Sequence, residues 1–166
     1  YPQAPEFKIS EITISISALV NHVIEKVHGS IRMIGHSAGG HLASRMICEN
    51  ILQKSLVARI EKIISVSGLY DLRPLLMTKL NEVLKLDYEE AIYESSCLYE
   101  PTKTKLTCWV GANERPEFLR QNRILAEAWS KKLKNIDSYY DKGKDHFSVI
   151  DQLEEQESFL TRSITN

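Results

Sequence analysis

The chain lacks most features that would mark a membrane protein, a nucleic-acid binder or a disulfide-stapled domain. No apolar run approaches the roughly 20 residues that cross a bilayer. Charge of one sign is missing: 21 Lys and Arg stand against 22 Asp and Glu, a net charge of -1. Without a basic face, neither nucleic acid nor an anionic membrane is expected as a partner. Cysteine is scarce, and Cys48, Cys97 and Cys108 have no metal-ligand spacing. An odd count with no secretory signal in view implies reduced thiols and a cytoplasmic setting. Cys48, on an expected helix face, and Cys108, in an expected strand, read as small core residues. Repeats, low-complexity tracts and convincing linkers are absent as well. What remains, 166 residues with 43% apolar content, suffices for one globular domain over residues 1–166 with a core of its own.

Glycine is sparse too (7 residues), which gives weight to its placement around one serine. Gly35-His36-Ser37-Ala38-Gly39 lies between Ile31-Arg32-Met33-Ile34 and an amphipathic run over residues 38–50. Strand, tight turn and helix, with a serine at the turn, is the setting of a nucleophile elbow. Small residues two before and two after the serine are expected, because the strained turn brings the flanking backbones together and glycine adds no Cβ to clash. The turn would lift the Ser37 hydroxyl to the helix N-terminus, where the Ala38 amide faces a developing oxyanion. Three fixed positions of this kind arise by chance in about one such chain in twenty. The flanking elements and partner residues therefore have to carry the assignment.

Helix-like and strand-like patterns alternate along the rest of the chain. Residues 11–27 place Ile12, Ile16, Leu19, Val20, Val23, Ile24 and Val27 at near-helical spacing. Residues 31–34 read as a short buried strand, and 38–50 as a helix with Leu42, Ala43, Met46 and Ile47 on one face. A second strand is expected over 60–66, closed by Ser67-Gly68, followed by a turn and one or two short helices over 71–86. The third strand is expected over 106–110, ended by Gly111, and a long helix over 116–134 with Pro116 in its first turn. A fourth strand over 136–140, a loop over 143–146 and a final helix over 147–161 complete the pattern. Strands separated by helices predict an α/β fold, a parallel sheet with helices on both faces. Sites in such sheets form at the carboxyl ends of the strands, where Ser37, Glu114 and His146 fall.

A serine hydroxyl is a poor nucleophile until a base takes its proton, and the base needs a third group to fix its tautomer. In α/β-hydrolases these occur in the order serine, acid, histidine. Ser37, Glu114 in Gly111-Ala112-Asn113-Glu114, and His146 in Lys144-Asp145-His146-Phe147 supply that order. Plainer readings stand beside it: Ser37 as a helix cap, Glu114 as a solvated loop carboxylate, His146 as a packing ring. Glu117 falls inside a helix start, and Asp145 adjoins His146 and so points elsewhere. His22, His28 and His41 read as surface or packing histidines, and His36 as a side chain that shapes the pocket.

Four stretches resemble the α/β-hydrolase-fold esterases of the kynurenine formamidase (arylformamidase) branch. They are Gly35-His36-Ser37-Ala38-Gly39-Gly40-His41-Leu42-Ala43, Ser67-Gly68-Leu69-Tyr70-Asp71-Leu72-Arg73-Pro74-Leu75, Val110-Gly111-Ala112-Asn113-Glu114-Arg115-Pro116-Glu117-Phe118-Leu119-Arg120-Gln121, and Asp145-His146-Phe147-Ser148-Val149-Ile150. The resemblance implies a cofactor-free hydrolase acting on small esters or N-formyl aromatic amides through Ser37, His146 and Glu114 and an acyl-enzyme. A general carboxylesterase of the hormone-sensitive-lipase type and a catalytically weak relic are the alternatives. Three departures accompany it. Glutamate stands where the family usually has aspartate, and Ser96-Cys97 stands where it has Ser-Pro. Tyr1-Pro2-Gln3-Ala4-Pro5 is similar to a segment that follows the family's fourth strand, and the upstream His-Gly-Gly loop is not in this sequence. The expectation is therefore the C-terminal portion of the fold, with an exposed sheet edge beside residues 31–34 through which copies of the chain could associate.

Overall fold

Four parallel strands lie side by side in chain order in the computed structural model, which describes residues 2–49 and 51–165: β1 (Ile31–His36), β2 (Ile60–Val66), β3 (Lys105–Gly111) and β4 (Ile136–Asp141). The helices are α1 (Ile9–Lys26), α2 (Ala38–Met46), α3 (Lys54–Val57), α4 (Asn81–Leu84), α5 (Tyr88–Tyr93), α6 (Pro116–Trp129) and α7 (Phe159–Thr165). Successive strand residues point to opposite faces, so the core divides in two. Ile63, Leu106 and Cys108 pack under Ile24 of α1, Met46 of α2, and Leu125 and Trp129 of α6. Ile64, Val66 and Trp109 point the other way, against Leu160 of α7 and against Val149 in the turn before it. The inner strands are thus covered on both faces, as parallel strands require. This is the expected α/β architecture.

Several boundaries differ from the expected ones, each for a local reason. The helix expected over 38–50 ends at Met46, and its expected terminus, Asn50, lies outside the described residues. There Ile47 and Cys48 donate to carbonyls only three residues back, and Glu49 donates to Glu100 at 2.9 Å, drawing the chain into a bridge between Cys48 and Pro101. Cys48 is therefore a buried residue beyond the helix rather than on its face. Burial pushes its thiol up to about 12 and raises that of Cys108 as well, so both are inert core groups. The helix expected over 147–161 splits into a 3-10 turn, Ser148–Glu154, and α7. Ser158 divides them by accepting the Thr161 N–H at 3.1 Å, a side-chain cap. The segment after residue 86 holds α5, capped by Asp87, which the periodicity did not announce.

A buried polar hub ties α1 and α2 to the chain that follows α5. Glu94 Oε2 accepts from Thr13 Oγ1 at 2.7 Å and from Arg45 Nε at 3.2 Å. His41 Nε2 meets the Glu94 main-chain oxygen at 2.8 Å. Arg45 is 1% exposed and its guanidinium lies over the Tyr99 ring at 4.8 Å, so its charge is matched by both a carboxylate and a π face.

Among the described residues the sheet stops at one edge with β1, which pairs only with β2. The strand expected to be buried here instead leaves Ile34 38% exposed. The apolar positions of α1 divide likewise: Ile12 and Ile24 are buried with Ile16 and Val20 packed beside the core, while Leu19 and Val23, with Val27 just past the helix end, are exposed. Among the described residues no helix is long and apolar enough to cross a membrane.

Candidate active site

Each strand delivers a polar side chain just past its carboxyl end, and the four converge. Ser37 follows β1 with φ 55° and ψ -116°, a strained backbone for a side-chain-bearing residue. Its N–H donates to Val66 O at 2.9 Å, which pins the turn to β2. The Ser37 hydroxyl does not cap α2. It lies 3.1 Å from His146 Nε2.

The glycines around the turn do not act as the pentapeptide pattern suggests. A Cβ on Gly35 would lie 2.0 Å from the Gly39 carbonyl oxygen, so that position requires glycine. A Cβ on Gly39 would meet nothing within 4 Å. The second tight position is Gly40, where a Cβ would come within 2.9 Å of Val66 O and 3.0 Å of the Gly68 Cα. The expectation of a clash at Gly39 was wrong because that residue faces outward; α2 closes on β2 through Gly40. Ala38 begins α2 and is exposed, and its N–H has no acceptor four residues back. It sits at the positive end of the helix dipole.

His146 Nδ1 lies 2.7 Å from Glu114 Oε2. With Nδ1–H donating to the carboxylate, Nε2 is left to accept from the Ser37 hydroxyl. The Glu114 side chain is 0% exposed, unlike a solvated loop acid. Its other oxygen, Oε1, accepts from the Gly111 N–H at 2.9 Å and from Ser67 Oγ. The loops carrying Glu114 and His146 meet because Gly111 has no side chain: a Cβ there would lie 2.4 Å from Lys144 O. Asn113 N–H donates to the same Lys144 oxygen at 2.9 Å. Asp145 turns away and accepts the N–H groups of Phe147 and Ser148, while Glu117 pairs with Arg120 at 2.8 Å.

The rim of the cluster is aromatic. The Phe118 ring lies 4.3 Å, and the His36 ring 4.8 Å, from that of His146. Burial lowers the His36 pKa, against the upward pull of the His146 main-chain oxygen, so His36 is neutral near neutral pH and donates Nε2–H to that oxygen at 2.8 Å. It thus grips the backbone of His146 besides lining the site. His22 and His28 are exposed and His41 is buried in the hub. Sequence reasoning missed Ser67 and Phe118. Both lie within stretches that carry the family resemblance; Ser67 also stands in a second serine-glycine pair directly after a strand, while nothing local marked the Phe118 ring. A cavity of about 390 Å³ lined by Lys62, Lys105, Lys134 and Asp137 lies at the opposite, amino end of β3 and β4. Among the described residues no group of His, Cys, Asp or Glu is arranged to hold a metal ion.

No protein-family model matches the chain. A crystal structure from Silicibacter sp. TM1040, of a protein provisionally assigned as a thioesterase, superposes with a TM-score of 0.93 at 42% identity, covering 100% of this chain and 62% of that one. The chain has the α/β-hydrolase fold. The carboxylesterase EstE1, cloned from a metagenomic library, shares that fold with a TM-score of 0.74 at 16% identity, over 99% of this chain and 66% of its own. In sequence, this α/β-hydrolase chain is similar to kynurenine formamidase of Danio rerio, 30% identical over 171 residues, 98% of this chain and 58% of that protein. It therefore spans little more than half the length of the curated relatives it matches.

Proposed function

We propose that this chain carries the nucleophile, base and acid of a serine hydrolase that cleaves small esters or N-formyl aromatic amides. The observation that carries the reading is the continuous line from the Ser37 hydroxyl through His146 to a fully buried Glu114, with contacts of 3.1 and 2.7 Å. Ser37 Oγ attacks the acyl carbon as its proton passes to His146 Nε2. The tetrahedral oxyanion faces the Ala38 N–H, and Glu114 stabilises the imidazolium. His146 then protonates the departing alcohol or amine, leaving an acyl group on Ser37. Water gives its proton to His146 as it attacks the acyl carbon, and His146 passes that proton to Ser37 Oγ as the C–Oγ bond breaks and the acid leaves. An amine leaves only when protonated, so formamide cleavage depends on His146 more steeply than cleavage of an activated ester. The similarity to kynurenine formamidase supports the formamide substrate. The small-molecule site needs neither a nucleic acid nor a membrane, and the three free cysteines suit a reducing cytoplasm.

The test is labelling by a fluorophosphonate, followed by turnover of p-nitrophenyl acetate and an N-formyl aromatic amide. One mass adduct on Ser37, lost in Ser37→Ala, is the expected result; an adduct that persists in Ser37→Ala overturns the assignment. Ester turnover without formamide turnover would transfer the reading to a general carboxylesterase.

A further inference from the structure

The proposed triad leaves one buried contact without a role. Ser67 Oγ donates to Glu114 Oε1, on the side of the carboxylate away from His146. Ser67 is 1% exposed, its N–H donates to Trp109 O at 2.7 Å, and its φ is 51°. Glycine adopts that left-handed backbone without a steric penalty and serine does not. If the turn after β2 needed only its shape, glycine would serve better there. What serine adds is the hydroxyl, and among the described residues that hydroxyl meets the acid alone.

We infer that Ser67 is a positioning residue that aims and stabilises the Glu114 carboxylate, making the catalytic relay a four-membered chain with one member from the end of each strand. The inference rests on the triad reading of Ser37, His146 and Glu114. Glutamate has three side-chain torsions, so its place in the loop does not by itself fix where Oε2 points. Two donors on Oε1 fix the last torsion. The Gly111 N–H, at the end of β3, holds that oxygen from the acid's own strand. Ser67 follows β2, an inner strand held by both neighbours, and so ties the acid to the rigid sheet. The Glu114 side chain is closed to bulk solvent, and the Ser67 hydroxyl is a donor to its buried charge.

The decisive comparison is Ser67→Gly with Ser67→Ala in the intact protein. Both remove the hydroxyl, while only glycine relieves the backbone. Both variants should label with fluorophosphonate, and turn over p-nitrophenyl acetate, about 10- to 100-fold more slowly, the value of one hydrogen bond to a charged group. KM should hold within about twofold. Ser67→Gly should melt above Ser67→Ala, since only glycine relieves the left-handed backbone. Wild-type kcat in Ser67→Gly would overturn the inference. A readout independent of turnover is the proton resonance of His146 Nδ1–H, which should be protected in the wild type and broadened by exchange in Ser67→Gly. If the wild type fails to label at Ser37, the function proposed above falls. The resonance still decides the positioning role, which an unchanged signal in Ser67→Gly overturns.

Discussion

At the scale of single residues, the length of Glu114 is the unusual choice. Its carboxylate reaches His146 with one oxygen and the donors of Gly111 and Ser67 with the other. Aspartate is shorter by one methylene and, on the same backbone, cannot hold both sets of contacts. Glu114→Asp should therefore lower kcat by about 100-fold, the usual cost of misplacing a catalytic group by about 1 Å. The fold and KM should be little changed, because the substituted group still carries a buried charge near the same donors. Steady-state turnover of p-nitrophenyl acetate checks this, and wild-type kcat in the variant would show that either acid serves.

At the scale of elements, the site depends on how closely two loops approach. Gly111 ends β3 where the loop after β4 crosses it, and an added Cβ would overlap the Lys144 carbonyl. Backbone cannot swing aside as the tip of a flexible side chain can. Gly111→Ala should push the His146 loop outward, lower kcat at least about 10-fold and cost about 1–3 kcal/mol of stability, the range of an overpacked core. Paired measurements of kcat and the urea midpoint decide it, and a variant unchanged in both would mean that the loops have slack. Gly39→Ala is the matching control, since a Cβ there meets open space.

At the scale of the whole molecule, two properties emerge from burial. Burial lowers the His41 pKa from 6.5 to about 4, against the pull of the Glu94 main-chain oxygen and with the Arg45 charge adding to the drop. Below 6.5 the unfolded chain takes up a proton that the folded chain refuses, so this contribution is complete above 6.5 and is lost as pH falls toward about 4. His36, also lowered, acts in the same direction, while Glu94, raised mainly by burial, opposes it at the acidic end. Urea unfolding should show about 1 kcal/mol less stability at about pH 5.5 than at about pH 7. The dependence should flatten in His41→Gln; an unaltered slope would assign the proton elsewhere. The second property is the open edge: among the described residues β1 beside Ile34, with Leu19 and Val23 of α1 and Val27 just past it, presents unpaired backbone and apolar surface together. The 166-residue chain should associate through it, and Leu19→Lys with Val23→Glu should reduce the scattered mass. A monomer at micromolar concentration before substitution would mean that the edge is shielded.

Much of this protein is local in its sequence, and that part was legible. Short runs closed by turn residues marked the four strands, and near-helical spacing marked the longer helices. The order Ser37, Glu114, His146 could be read because each follows a strand, and parallel strands bring their ends to one side. Other features had no local sign. Ser67 stands 47 residues from Glu114, and their contact depends on how β2 and β3 pair. Arg45 and Glu94, 49 residues apart, look like two surface charges until packing encloses both. The tight position at Gly40 rather than Gly39 follows from where α2 touches β2, and the bare half of α1 from which neighbours surround it. Spacing along a chain specifies which residues can share a face; what that face meets is set by strand register and helix packing across long loops, where the chain carries no periodic signal.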